Sequence, residues 1–159
     1  MVSFRENYLA QAGLDEMKFL FAGSQDETPI KQFLESNDLI HQDIKPADLK
    51  HFLIARDSSD LTGLVGLEIH GDCALLRSLA VKKGYRNKGL ATILVDKIED
   101  HARSLKIRTL YLLTMTAEDF FSKRNFRATA RATAPVGIQN TAEFRGLCPA
   151  SAAFMTKQL

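Results

Sequence analysis

The run Leu76-Arg77-Ser78-Leu79-Ala80-Val81-Lys82-Lys83-Gly84-Tyr85-Arg86-Asn87-Lys88-Gly89-Leu90-Ala91 constrains this chain more than any other segment. Residues 73–81 read as an apolar strand, and a short basic turn punctuated by glycine follows at once. Beyond it Leu90, Ile93, Leu94, Ile98, Ala102 and Leu105 recur every three or four residues, which predicts an amphipathic helix over 89–104. A strand, tight turn and helix in this order aim backbone N–H groups and the positive end of a helix dipole at one spot, which suits a pyrophosphate. Gly89 lets the backbone approach such an anion, while Arg86 and Lys88 add charge. The spacing from Arg86 is Arg-x-x-Gly-x-Ala. It fits neither the dinucleotide pattern Gly-x-Gly-x-x-Gly nor the Walker pattern ending in Gly-Lys-Ser/Thr.

The flanking sequence supplies strands first and helices later. A compact apolar run at 17–22 predicts the first strand. Thr28-Pro29 reads as a cap with proline at the first helical position, ahead of a helix over 29–35 with Ile30, Phe33 and Leu34 on one face. Residues 46–49 open a second, shorter helix. Strands over 51–56 and 61–70 flank the polar turn Asp57-Ser58-Ser59-Asp60, a hairpin, and Gly71-Asp72 makes the next turn. A β-branched, leucine-rich strand follows at 109–114. Thr116, with Asp119 three residues on, is placed to cap a helix that stops near Asn125. A strand over 127–133, an irregular helix over 139–146 and a closing strand over 152–157 complete the chain. This order predicts an α/β (α+β) fold of three layers around a mixed sheet. The reading is of one domain over 1–159, with 1–13 an extension ahead of it.

Composition narrows the function classes. A chain of 159 residues, 45% hydrophobic and 25% charged, is long enough to bury a core. Its net charge of +2 makes no case for nucleic acid, and the basic residues outside the turn are scattered. No apolar run approaches the ~20 residues that span a bilayer, and residues 1–13 lack the plan of a signal peptide. The cytoplasm is therefore expected, without nucleic-acid or membrane partners. Cys73 and Cys148 match no zinc spacing and read as two reduced thiols; no metal is expected. Phe19, Phe21, Phe33, Phe52 and Phe126 are assigned to the core.

The Arg86–Ala91 spacing, with Arg86 five places after the strand-ending Val81, closely resembles the acetyl-CoA loop of the GNAT superfamily of N-acetyltransferases. The run Phe120-Phe121-x-Lys123-Arg124-Asn125-Phe126 resembles that family's Phe-Tyr-x-Lys-x-Gly-Phe segment. The tail, Ala134-Pro135-x-x-Ile138-x-x-Thr141-x-x-Phe144-x-x-Leu147-Cys148-Pro149-x-Ser151-Ala152, is similar to the arsenic-resistance-associated N-acetyltransferases. It is more distantly similar to the acetyltransferase domain of N-acetylglutamate synthases. The resemblance implies a mixed, mostly antiparallel sheet with splayed fourth and fifth strands and helices on both faces. Acetyl-CoA would lie where those strands part. Leu79, Ala80 and Val81 would offer backbone groups to pantetheine and the acetyl carbonyl, and Arg86, Asn87, Lys88, Gly89, Leu90, Ala91 and Thr92 would wrap the pyrophosphate. Dimers are common in the family, so a homodimer is its prior.

Two departures bear on mechanism. Where many members place a proton-accepting glutamate on the fourth strand, this chain has Arg77, and where they place a thiolate-protonating tyrosine it has Phe121. An attacking amine must still lose a proton. Glu68 is the best substitute base, with a solvent-facing carboxylate or a partner for Arg77 as the plainer readings, and His70 is a second candidate. Water or Ser122 would protonate the leaving thiolate. Orientation alone can supply on the order of 7–11 kcal/mol, with a backbone N–H around Leu79 donating to the developing oxyanion. Arg77 either binds a carboxylate, phosphinate or arsonate of the acceptor or forms a salt bridge across the sheet. Thr114 would line the acceptor pocket. The expected activity is acetyl-CoA-dependent N-acetylation of a small primary amine, an amino acid or amino-acid-like toxicant. The alternative is a catalytically silent acyl-CoA-binding sensor.

Overall fold

The structure, a computed structural model, describes residues 14–159, so the expected extension at 1–13 lies outside the described residues. The strands are β1 (Met17–Phe21), β2 (Phe52–Asp57), β3 (Asp60–His70), β4 (Cys73–Val81), β5 (Thr109–Thr114), β6 (Arg127–Ala128) and β7 (Ala153–Gln158). The helices are α1 (Glu27–Ser36), α2 (Leu90–Ser104), α3 (Glu118–Ser122) and α4 (Val136–Gln139). Hydrogen bonding orders the strands β1-β2-β3-β4-β5-β7-β6. Pairings β1/β2, β2/β3, β5/β7 and β6/β7 are antiparallel and β4/β5 is parallel, the mixed, mostly antiparallel sheet expected. The parallel pairing covers Cys73↔Thr109, Ala74↔Leu110 and Leu75↔Tyr111. β4 then runs on from Leu76 to Val81 past its last β5 partner.

The described residues divide into two compact units, 14–66 with Ser78–Ile98, and Leu67–Arg77 with Glu99–Leu159. In the first, Ile30 and Leu34 of α1 are fully buried against Phe52, Ile54, Leu64 and Ala80. Each such aliphatic side chain contributes roughly 1.5–3 kcal/mol. Gly63 precedes Leu64, so its α-carbon substituent points to the other face of β3. A Cβ there would sit 3.0 Å from Leu94 and 3.3 Å from Leu90. Helix α1 and the first turns of α2 thus cover opposite faces of these strands. In the second unit, Cys73, Leu75, Ala134, Ile138 and Phe154 form the core, with Tyr111 stacked on Phe154 at 5.5 Å.

Several boundaries depart from expectation for local reasons. α1 starts at Glu27, with Asp26 rather than Thr28 at its N-cap. The buried Asp26 carboxylate instead accepts the Gly23 N–H at 2.8 Å and pairs with Arg56 at 2.9 Å. Pro29 falls in the first turn, where backbone N–H groups lack helical partners anyway. Residues Pro46–His51 form a 3-10 turn. Thr116 does not cap α3: Ala117 holds that position, and its N–H donates to Thr114 Oγ1 at 3.0 Å. Asn125, at φ 70, supplies the left-handed stop that was expected. Only Arg127–Ala128 of the 127–133 segment is strand, and a 3-10 turn at Arg131–Thr133 follows. Phe21 is 40% exposed on β1 and Phe19 lies beneath the Lys97 ammonium, so neither is a core residue.

Candidate active site

The basic loop begins while still held to the sheet. Lys82 N–H donates to Thr62 O at 2.8 Å, and a 3-10 turn over Lys83–Tyr85 closes with Tyr85 N–H on Lys82 O. Asn87 and Gly89 then stand at φ 63 and φ 84, both left-handed. Asparagine and glycine are the residues that adopt that region most readily. Left-handed residues interleaved in a turn direct successive N–H groups into a concave nest for an anion. Among the described residues, the N–H groups of Asn87, Lys88 and Gly89 have no main-chain acceptor. The amides of Leu90, Ala91 and Thr92 follow in the first turn of α2, where such donors face outward along the axis. Lys82, Lys83, Arg86, Asn87 and Lys88 are all exposed. A cavity of about 740 Å³ borders Lys82, Lys83 and Arg86, with Phe33, Asn37 and Leu61 among its other walls.

Arg86, expected to lend charge to a pyrophosphate, uses much of its guanidinium on the protein. Nε donates to Val81 O and Nη2 to Asn37 Oδ1, each at 2.8 Å. Tyr85 donates to Asp57 Oδ2 at 2.7 Å, a bond that raises the phenol above its ordinary pKa. Upstream, Ser78 stands at φ 62 inside β4. A left-handed residue departs from regular strand geometry, and the peptide that follows it carries the Leu79 N–H. Ala80 is buried in the core with α1.

In the second unit a charged cluster surrounds Arg77. Its side chain is 3% exposed and lies between two carboxylates, with Nη1 on Glu68 Oε2 and Nη2 on Glu143 Oε1, both at 3.3 Å. His70 Nε2 lies 3.3 Å from the other Glu68 oxygen. Glu68 is about a quarter exposed, so water reaches it. The salt bridge foreseen as an alternative for Arg77 is present, and a substrate carboxylate would have to share the guanidinium with Glu68 and Glu143. Gly137 abuts His70, where a Cβ would fall 2.8 Å from the imidazole-bearing carbon. Thr114, expected to line a pocket, spends its hydroxyl oxygen on the Ala117 N–H. Phe121 is buried, edge-on to Phe120 and Phe126, and Ser122 beside it is exposed. Cys73 donates to His70 O, and burial followed by the nearby Asp72 charge raises its thiol pKa.

Residues 14–127 match the family model described as Acetyltransferase (GNAT) family. The chain therefore belongs to the GNAT acetyltransferase family. Among solved structures it is similar to N-acetylglutamate synthase from Neisseria gonorrhoeae complexed with coenzyme A and N-acetyl-glutamate, at TM-score 0.79 and 20% identity over 90% of this chain. The chain spans 35% of that synthase's length. It is also similar to Rv2747 from Mycobacterium tuberculosis in complex with CoA and NLQ, at TM-score 0.71 and 18% identity, covering 89% of this chain and 99% of the other. A third likeness is the PaiA N-acetyltransferase from Thermoplasma acidophilum in complex with coenzyme A, at TM-score 0.65 and 15% identity, covering 90% and 98%. These likenesses establish the fold. Among the described residues no helix is long and apolar enough to cross a membrane, and no group of three or more His, Cys, Asp or Glu is placed to hold a metal.

Glu143 is the site residue that sequence reasoning missed. It is an acid on the π-helical turn Glu143–Leu147, which also carries Arg145, and it is buried at 6%. Nothing local in the sequence marks it as a partner of Arg77. Asn37, Asp57 and Asp60 were likewise passed over, because their partners lie in a loop far from them in the chain.

Proposed function

We propose that this chain is an acetyl-CoA-dependent N-acetyltransferase acting on the primary amine of a small, amino-acid-like molecule. The observation that carries the reading is the left-handed pair Asn87 and Gly89 directly before α2. Their amides and those of Leu90, Ala91 and Thr92 form a cup that fits the diphosphate of coenzyme A, with Lys88 beside it. The chemistry is direct transfer. The amine lone pair attacks the thioester carbonyl, the Leu79 N–H donates to the oxyanion, and the C–S bond breaks to release CoA thiolate. The ammonium proton passes to Glu68, through water or directly, and solvent or Ser122 protonates the thiolate. No Lewis acid is required by these steps.

The acceptor class follows from the charge around Arg77. One guanidinium between Glu68 and Glu143 leaves a net charge of about −1, which favours an ammonium group nearby. Arg77 orients Glu68, and an acceptor carboxylate or oxyanion would share its guanidinium charge. The gonococcal synthase structure contains N-acetyl-glutamate, and the tail resembles arsenic-resistance-associated acetyltransferases, both in line with an amino-acid-like acceptor. A second reading, a silent acyl-CoA sensor, draws on the buried Phe121 at the customary tyrosine position. Mixing the protein with acetyl-CoA and amino acids, aminophosphonates, arsenical amino acids or polyamines, then following free CoA, tests the proposal. Turnover with an amino-acid-like amine is expected. CoA binding without turnover on any of them selects the sensor.

A further inference from the structure

We infer that Asn37 and Asp57 are positioning residues that fix the diphosphate loop through the side chains of two of its own members, Arg86 and Tyr85. The inference rests on the reading of that loop as the coenzyme A site. Lys82 Nζ reaches both carboxylate oxygens of Asp60, at 2.7 and 3.0 Å. Tyr85 donates to Asp57 at 2.7 Å, and Arg86 to Asn37 at 2.8 Å. The loop is thus tied at three successive points, all within the first unit.

The anchors are themselves held. Asp57 and Asp60 are the paired end residues of the β2–β3 hairpin. Asn37 is the residue that ends α1, and its amide donates to Phe33 O at 2.7 Å, which aims its oxygen outward at Arg86. The same guanidinium grips Val81 O, so a single side chain links the end of α1, the end of β4 and the start of the cup. The bonds differ in weight. Lys82 and Asp60 are each 48% exposed, so water and salt screen that pair and little depends on it. The Tyr85 and Arg86 bonds carry the bracing.

The physical consequence is pre-organisation. An exposed segment with Lys82, Lys83, Arg86 and Lys88 repels itself, and left unbraced it would pay an ordering cost on closing around a diphosphate. Turning Tyr85 and Arg86 towards Asp57 and Asn37 removes part of that cost beforehand. It also leaves the amides of 87–89 facing the ligand, so the braces act on cosubstrate affinity and leave the acyl-transfer step alone.

Titration of coenzyme A into wild type, Asn37→Leu, Asn37→Asp and Tyr85→Phe, with acetyl-CoA kinetics on each, tests this. The expected result is a CoA Kd and acetyl-CoA KM raised about five- to tenfold in Asn37→Leu and Tyr85→Phe, the scale of one lost hydrogen bond. Turnover at saturation stays within twofold, and Asn37→Asp, which keeps an acceptor for Arg86 but loses the donor to Phe33 O, recovers part of the affinity. A double change of Tyr85→Phe with Asp57→Asn costs no more than Tyr85→Phe alone. CoA affinity within twofold of wild type in both folded single variants overturns the inference. Absence of CoA binding by wild type itself overturns the reading of the loop, and the bracing role with it.

Discussion

Glu143, on a single π-helical turn, reaches Arg77 on β4 at 3.3 Å, and neither side chain is more than 7% exposed. A buried guanidinium needs its charge answered nearby, since an unpaired one forfeits its hydration without return. Glu68 answers it from the side that water reaches, and Glu143 from the side that water does not. The pair therefore orients the more accessible carboxylate, and the irregular turn carrying Glu143 supports this charged cluster.

Removing the buried partner should weaken the fold. Glu143→Ala removes the buried carboxylate that faces Arg77 and is expected to cost about 2 kcal/mol, the scale of a hydrogen bond to a charged group. Urea unfolding followed by circular dichroism measures it. A change below about 0.5 kcal/mol would show that Arg77 finds equivalent partners without it.

Glu68→Gln keeps the shape of the side chain and removes its basicity. Turnover with the preferred amine should fall about 100-fold or more, while the CoA Kd stays at the wild-type value. Steady-state kinetics with parallel calorimetry separates the two effects. Undiminished turnover would pass the base role to His70 or to water.

Gly66 has no room for a methyl group. A Cβ there would lie 2.6 Å from two ring carbons of Phe52, itself 1% exposed in the core of the first unit. Gly66→Ala is expected to destabilise by roughly 1–3 kcal/mol, read from the shift in the urea midpoint. A neutral result would mean that the Phe52 ring has space to turn.

Burial holds the His101 imidazole below its ordinary pKa. The folded chain therefore takes up this proton less readily than the unfolded chain. The resulting stability is complete above about pH 6.5, the unfolded value, and is lost as pH falls through 6.5 towards the depressed folded one. Thermal midpoints should decline from about pH 7 to about pH 5, with a shallower slope in His101→Gln. Parallel slopes would assign the decline to other groups.

The strands and the long helix were legible because their signals are local. Cys73–Val81 and Thr109–Thr114 match the expected bounds, and the apolar spacing from Leu90 to Ala102 gave α2 to within one residue. The loop between was legible because glycine and basic residues stand at fixed offsets from Val81. The first helix cap was misplaced because Asp26 turns to Gly23 and Arg56, a tertiary pairing that overrides local preference. Phe21 looked like core by residue type, but β1 is an edge strand whose outer residues meet solvent. The partners of Arg77 and Arg86 could not be ranked from sequence. Several acids could have met Arg77, and nothing local to Asn37 marks it as the acceptor for a guanidinium beyond β4.

The central claim is that the amides following Asn87 bind the diphosphate of coenzyme A, and calorimetric titration of coenzyme A into wild type and Gly89→Val tests it most directly. Gly89 stands at φ 84, a conformation that valine resists. Saturable binding by wild type, weakened at least about tenfold in a variant whose circular dichroism is unchanged, is the predicted result. Equal affinity in the two proteins, or no binding by wild type, would contradict the account.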